Sequence, residues 1–137
     1  MTMIELTGAR DTERRALQCA VALACLVPIS AGGFGLVFGP GMLGGIQVAH
    51  AGLDGHFRYL SGLLLGLGLA FLTAVPDIET RGSRIALLTG MVVLGGIGRL
   101  ASVVALGGGS RSTYFALAME LVVTPALALW QRRIARN

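Results

Sequence analysis

The stretch Ile85–Leu106, IALLTGMVVLGGIGRLASVVAL, decides the fold. About twenty apolar residues at about 1.5 Å each cross the hydrocarbon of a bilayer as one helix. A single charge interrupts the run, Arg99. A second run, Tyr114–Trp130, YFALAMELVVTPALALW, also carries one charge, Glu120. A charge at such depth costs at least a few kcal/mol unless it is paired or faces a wet cavity. Arg99 stands near the end of its run and Glu120 near the start of its own. Two helices joined by a short turn run antiparallel, so both residues fall at similar depth, roughly 10–12 Å below one boundary. The sequence therefore predicts an Arg99–Glu120 contact.

Composition agrees with a membrane chain. Of 137 residues, 54% are hydrophobic and 13% charged, against roughly 25% charged in an average soluble domain. So little charge cannot cover a water-facing surface. The 21 glycines fit helices that pack closely in lipid. One domain, residues 1–137, is the expected count at this length. The net charge of +4 does not point to nucleic acid. The arginines form no amphipathic stripe interleaved with aromatics and sit instead at the ends of apolar runs.

Further spans extend from the decisive pair. Residues 1–13 read as a polar surface segment. Arg14-Arg15 opens an apolar run from Ala16 to about Phe38, kinked or loosened after Pro28. Residues 39–56 read as a Gly-rich loop, with room for a short interfacial helix, that holds Pro40, Gln47, His50, Asp54 and His56, and Asp54 is placed to cap the next helix. Phe57–Val75 is the second span, and Pro76-Asp77 ends it. Gly107-Gly108-Gly109-Ser110 turns the chain into the fourth span, where Pro125 is an expected kink. The fold class is all-α, a membrane four-helix bundle with antiparallel up-down topology and helices at about 14–38, 57–76, 84–106 and 113–131.

Arginine placement gives the orientation. Arg10, Arg14, Arg15, Arg81, Arg84, Arg132, Arg133 and Arg136 fall on one side of four spans, and Arg58 and Arg111 on the other. Eight against two puts both termini in the cytoplasm, in a multi-pass protein of the bacterial inner membrane. Trp130 at a span end suits the aromatic belt. The first helix has the outline of a signal peptide, but the charge balance fits four spans that include it. Cys19 and Cys25, six apart on one helix, cannot form a disulfide and read as two buried apolar thiols.

Candidate site residues follow from the charges. Arg58 begins the second span on the outer side, with Ser61 and Gly62 on its face. Snorkelling to the interface, it would mean little; turned inward, it gives two arginines against the Glu120 carboxylate, a surplus that invites an anion. Asp54 as a second carboxylate is the structural alternative. The expected ligand-binding set is Arg58, Arg99 and Glu120, with Tyr59, Ser61, Ser102 and Asp54 at the edge. The ligand would be a membrane lipid headgroup or a lipophilic anion. The third run carries Gly95, Gly96, Arg99 and Ser102 together, and the fourth carries Thr113, Glu120, Thr124 and Gln131 on one face.

No catalytic set, metal site or cofactor is expected. His50, His56 and Asp54 lack a defined ligand spacing. Gly33-Phe-Gly35 with Gly39 is no nucleotide fingerprint, because no strand precedes it.

His56-Phe-Arg-Tyr-Leu-Ser-Gly62, Pro76-Asp-Ile-Glu79, Leu94-Gly-Gly-Ile-Gly-Arg-Leu100 and Glu120-Leu-Val-Val-Thr-Pro125 with Trp130 together carry a resemblance. From residue 15 onward the chain resembles the bacterial family catalogued as domain of unknown function 4345, small integral membrane proteins with four predicted helices. The resemblance implies a membrane location. It implies no reaction and transfers no catalytic residue.

Four functions compete. Binding of a lipophilic anion or lipid headgroup at the outer Arg/Glu site is the first. A small proton-coupled exporter is the second, and it needs a carboxylate free to exchange a proton for a cationic drug. A Glu120 held by Arg99 argues against it. A membrane oxidoreductase lacks a CxxC or haem-ligand pair, so the reading leans away from an enzyme. An accessory subunit is the fourth, since the GxxxG at Gly62–Gly66 serves internal packing, a homo-oligomer or a membrane partner.

Overall fold

The computed structural model describes residues 3–43 and 50–136. Five α-helices appear, α1 (Met3–Phe38), α2 (Ala51–Leu72), α3 (Gly82–Ala105), α4 (Arg111–Ala118) and α5 (Thr124–Arg136). A 3₁₀ turn, Gly39–Leu43, follows α1, and a π turn, Met119–Val123, joins α4 to α5 into one continuous span. Among the described residues there is no strand. Four spans, Arg10–Leu43, Ala51–Leu72, Gly82–Ala105 and Arg111–Arg136, are long and apolar enough to cross a membrane. Only 11–22% of each is buried within the chain. Leu23, Phe34, Leu87, Leu94, Val104 and Leu129 stand open. Such a surface suits hydrocarbon and is too apolar for water. This is the build of a multi-pass membrane protein.

Several helix bounds differ from expectation. The polar start is helical from Met3, so α1 is a single 36-residue helix that runs through Pro28. The expected loop at residues 50–56 is instead the first turns of α2. Asp54 is thus an acidic residue in the first turn, where it favours the helix dipole, and His50 holds the cap position without a side-chain bond. Gln47 lies outside the described residues. The second span ends at Leu72, four residues before Pro76. Of the two thiols only Cys25 is buried, while Cys19 is exposed.

The chain divides into two compact units, Met1–Val21 with Ala74–Asn137, and Ala22–Thr73. In the second unit, α1 and α2 touch backbone to backbone. A Cβ at Gly32 would stand 2.5 Å from the Leu65 nitrogen and 2.7 Å from the Ser61 carbonyl oxygen. One at Gly68 would stand 2.7 Å from Ile29, and one at Gly35 would overlap the Ser61 side chain. Spacings of three and four along both helices keep these positions on one face. The GxxxG pair is not that face. Nothing lies within 4 Å of a Cβ at Gly66, and only Leu36 approaches one at Gly62, at 3.8 Å.

The first unit packs α3 against the fourth span and the start of α1. Leu17, Val21, Ala74, Ile78, Ile85, Leu88, Leu117 and Ala128 form its buried apolar core. The segment after α2 is pinned by side chains from two helices. Gln18 Nε2 donates to the carbonyls of Val75 (2.9 Å) and Pro76 (3.0 Å). Arg14 Nη2 donates to Pro76 O at 3.1 Å. The fully buried Gln131 donates to Ile78 O at 2.8 Å. These carbonyls lie outside the helices, so the amides and the guanidinium supply donors that helical bonding does not, and at the buried Ile78 the bond spares a costly unpaired acceptor.

Thermal melting in detergent separates the two glycine faces. Gly32→Ala forces overpacking against α2 backbone, a change that typically costs about 1–3 kcal/mol, and should lower the midpoint. Gly66→Ala fills open space and gains helix propensity, so its midpoint should hold or rise.

Candidate functional site

Arg99 and Glu120 meet as the charges require. Arg99 Nε donates to Glu120 Oε2 at 3.0 Å and Arg99 Nη2 to Oε1 at 2.9 Å, a two-pronged pair. Glu120 is held inside, its side chain 16% exposed, while that of Arg99 is 41% exposed. Among the described residues, Arg99 Nη1 has no protein partner. The inner edge of the guanidinium is therefore satisfied and the outer edge is open.

Two local features bring the partners together. Gly96, one turn before Arg99, is buried against the fourth span. A Cβ there would come within 2.7 Å of Leu121 and 2.9 Å of the Glu120 Cβ. The missing side chain lets α3 approach closely enough for the pair to close. Gly95, expected on the same face, meets nothing within 4 Å.

On the other side, Glu120 sits in the π turn. Both the backbone N–H and the hydroxyl of Thr124 donate to Met119 O, five residues back, the hydroxyl at 2.8 Å. The expected kink at Pro125 takes this form. Pro125 has no N–H and its ring would press on the carbonyl of Leu121 in a regular helix. The wider turn absorbs both problems. It also changes the bonding of the Glu120 carbonyl. In an α-helix its donor would be Thr124, and in a π-helix Pro125. Thr124 bonds Met119 and Pro125 has nothing to give, so neither donor reaches it. Turns of this kind recur at functional sites.

Arg58 has its own carboxylate. Its Nε donates to Asp54 Oδ2 at 2.8 Å, one turn earlier on α2. Nη1 donates to the carbonyls of Leu36 (2.7 Å) and Val37 (2.8 Å), at the end of α1. The last carbonyls of a helix have no intrahelical donor, and Arg58 supplies one. Gly39 completes the arrangement. Its φ of +60° ends α1 in the left-handed region that glycine accepts. A Cβ there would meet Asp54 at 2.6 Å and Arg58 at 2.8 Å. Of the readings for Arg58, snorkelling, surplus inward charge or a pair with Asp54, the structure has the pair. Ser61, buried, donates to Phe57 O at 2.8 Å, and Tyr59 is exposed. Ser102 is exposed, three residues beyond Arg99 on α3.

Asp54, Arg58, Tyr59 and Ser61 belong to the second unit, and Arg99, Ser102 and Glu120 to the first. Among the described residues, no group of three or more His, Cys, Asp or Glu comes together to hold a metal. Arg99–Glu120 apart, the sequence does not reveal the polar contacts of the first unit. Glu13 accepts a bond from Trp130 Nε1 at 3.2 Å. Arg14 lies 3.0 Å from Glu79, a charge contact without hydrogen-bond alignment. Gln131 is the exception, since the polar face it shares with Thr113, Glu120 and Thr124 points inward, and it is buried.

A family model described as Domain of unknown function (DUF4345) matches residues 16–131. The chain belongs to that family. No curated protein and no solved structure matches the chain. The family's span takes in the Asp54–Arg58 and Arg99–Glu120 pairs, the glycine contact of α1 with α2, and Gln131. It stops one residue before Arg132.

A double-mutant cycle measures the coupling of Arg99 with Glu120. Removing one partner of a buried pair typically costs about 3–5 kcal/mol, and the half-open Arg99 places this pair at the lower end. Arg99→Gln and Glu120→Gln should each lower stability in detergent more than the double change does. Equal losses from the singles and the double would mean that the two residues act independently.

Proposed function

We propose that the protein binds an anionic amphiphile, a lipid headgroup phosphate or a lipophilic carboxylate, on the open edge of Arg99. One observation carries the reading. Arg99 has an inner edge locked to Glu120 and, among the described residues, an outer edge with no protein acceptor, on a helix rich in leucine, isoleucine and valine. A guanidinium in apolar surroundings needs an acceptor for every donor it exposes. A lipid phosphate or carboxylate matches its planar fork. Ser102, one turn along, offers a hydroxyl to the same ligand. Glu120 tempers the site, since it shares the cation with any incoming anion and limits the affinity. The Asp54–Arg58 pair has a different task, holding the end of α1.

The supporting setting is a bacterial inner-membrane bundle whose four spans run up and down with both termini cytoplasmic. The eight-to-two arginine split supports this orientation, and it puts Arg99 and Glu120 in the outer-leaflet half. A periplasm-dependent phosphatase fused after Asn137 should be inactive, and activity there would invert the topology. A proton-coupled exporter is the weaker reading. It requires a free carboxylate, and Glu120 is gripped at both oxygens.

Binding of labelled fatty acid and labelled phosphatidylglycerol to the detergent-solubilised chain tests the proposal. Charge-assisted bonds of this kind contribute about 1.5–3 kcal/mol, so Arg99→Gln should weaken binding about tenfold or more. Glu120→Gln should strengthen it, because the guanidinium is then undivided. Unchanged binding in both variants leaves the pair a purely structural lock.

A further inference from the structure

We infer that the C-terminal face of α5 is a second, separate site, which holds the phosphodiester headgroup of an acidic phospholipid with its acyl chain along Leu129. Leu129, Arg132, Arg133 and Arg136 follow the spacing i, i+3, i+4, i+7 and so share one face of α5. They line an open concavity of about 310 Å³. The buried residues of the same helix, Ala128 and Gln131, are used up inside the first unit. Leu129 is 63% exposed, and all three arginines are exposed. Among the described residues none of the three makes an ion pair, whereas Arg14, Arg58, Arg81 and Arg99 all do.

Cations at a helix C-terminus gain from the dipole, and this accounts for one or two of them. Three unpaired guanidiniums around one leucine exceed that need. The order along the helix is apolar first and basic one turn later. An acidic phospholipid has the same order, chain and then phosphate. At about 5.4 Å per turn the headgroup oxygens fall level with the arginines when the upper chain lies on Leu129. Guanidinium forks bind phosphate oxygens two at a time. A free phosphate would have no use for the leucine, so the lipid is the occupant assigned.

Trp130, the single tryptophan of the chain, neighbours the site and reports on it. The full-length protein in mild detergent would be titrated with phosphatidylglycerol or phosphatidylcholine carrying brominated chains, and Trp130 fluorescence read. The expected result is stronger quenching by phosphatidylglycerol, with the apparent affinity falling about fivefold for each arginine replaced by glutamine. Arg132→Gln/Arg133→Gln/Arg136→Gln should erase the headgroup preference. Single Arg133→Gln, which removes an exposed side chain, gives the same test if the triple variant is not recovered. Arg99→Gln should leave the quenching unaltered, which separates this site from the proposed one. Equal quenching by the two lipids overturns the inference, as does a preference that survives the arginine substitutions. Release of the lipid by millimolar orthophosphate also overturns it, because the site would then be one for free phosphate.

Discussion

A guanidinium among aliphatic side chains must find its acceptors nearby, and that demand shapes the structure around Arg99 and Arg58. Hydrocarbon supplies none, so each arginine inside an apolar run needs a carboxylate or carbonyls from its own chain. Arg99 takes both oxygens of Glu120. Arg58 takes Asp54 and two carbonyls at the end of α1. The glycines beside these pairs serve the same demand. Gly96 and Gly39 lack the side chains that would hold the backbones apart. Around Arg99, ion pairing and close packing are thus a single requirement, because that pair closes only where the two helices touch.

Much of this was legible in the sequence. Four spans and the Arg99–Glu120 contact followed from run length, charge position and a short turn, all of which are local quantities. The Asp54–Arg58 pair is visible in the sequence as an alternative, obscured by the loop-like composition of residues 51–56. Their glycine and histidine suggest a loop, whereas glycine is ordinary inside membrane helices. Once α2 starts at Ala51, Asp54 stands one turn before Arg58 and the pair is a local consequence.

Other features have a weaker local signal or none. Gln131 shows only as part of a polar face and Gln18 not at all, and the partners of both are backbone carbonyls of the segment after α2, which a side-chain pattern does not reveal. The GxxxG at Gly62–Gly66 matched a known motif, yet Gly32, Gly35 and Gly68 make the actual contact. The motif specifies small residues on one helix and says nothing about which face the partner chooses. Cys19 was likewise assigned by residue type to the interior, and helix phase puts it outside.

The π turn before Pro125 makes the fourth span two helices with independent phase. A π turn amounts to one residue more than a regular helix would use, and one residue corresponds to about 100° of rotation and about 1.5 Å of rise. At the start of the turn, the phase is fixed where Arg99 grips Glu120. Downstream, it is fixed where Gln131 reaches the Ile78 carbonyl. A chain shortened by a single residue within Met119–Val123 would form a smoother helix and could honour only one of those two commitments. Local irregularity is here what lets two distant contacts coexist on one rod.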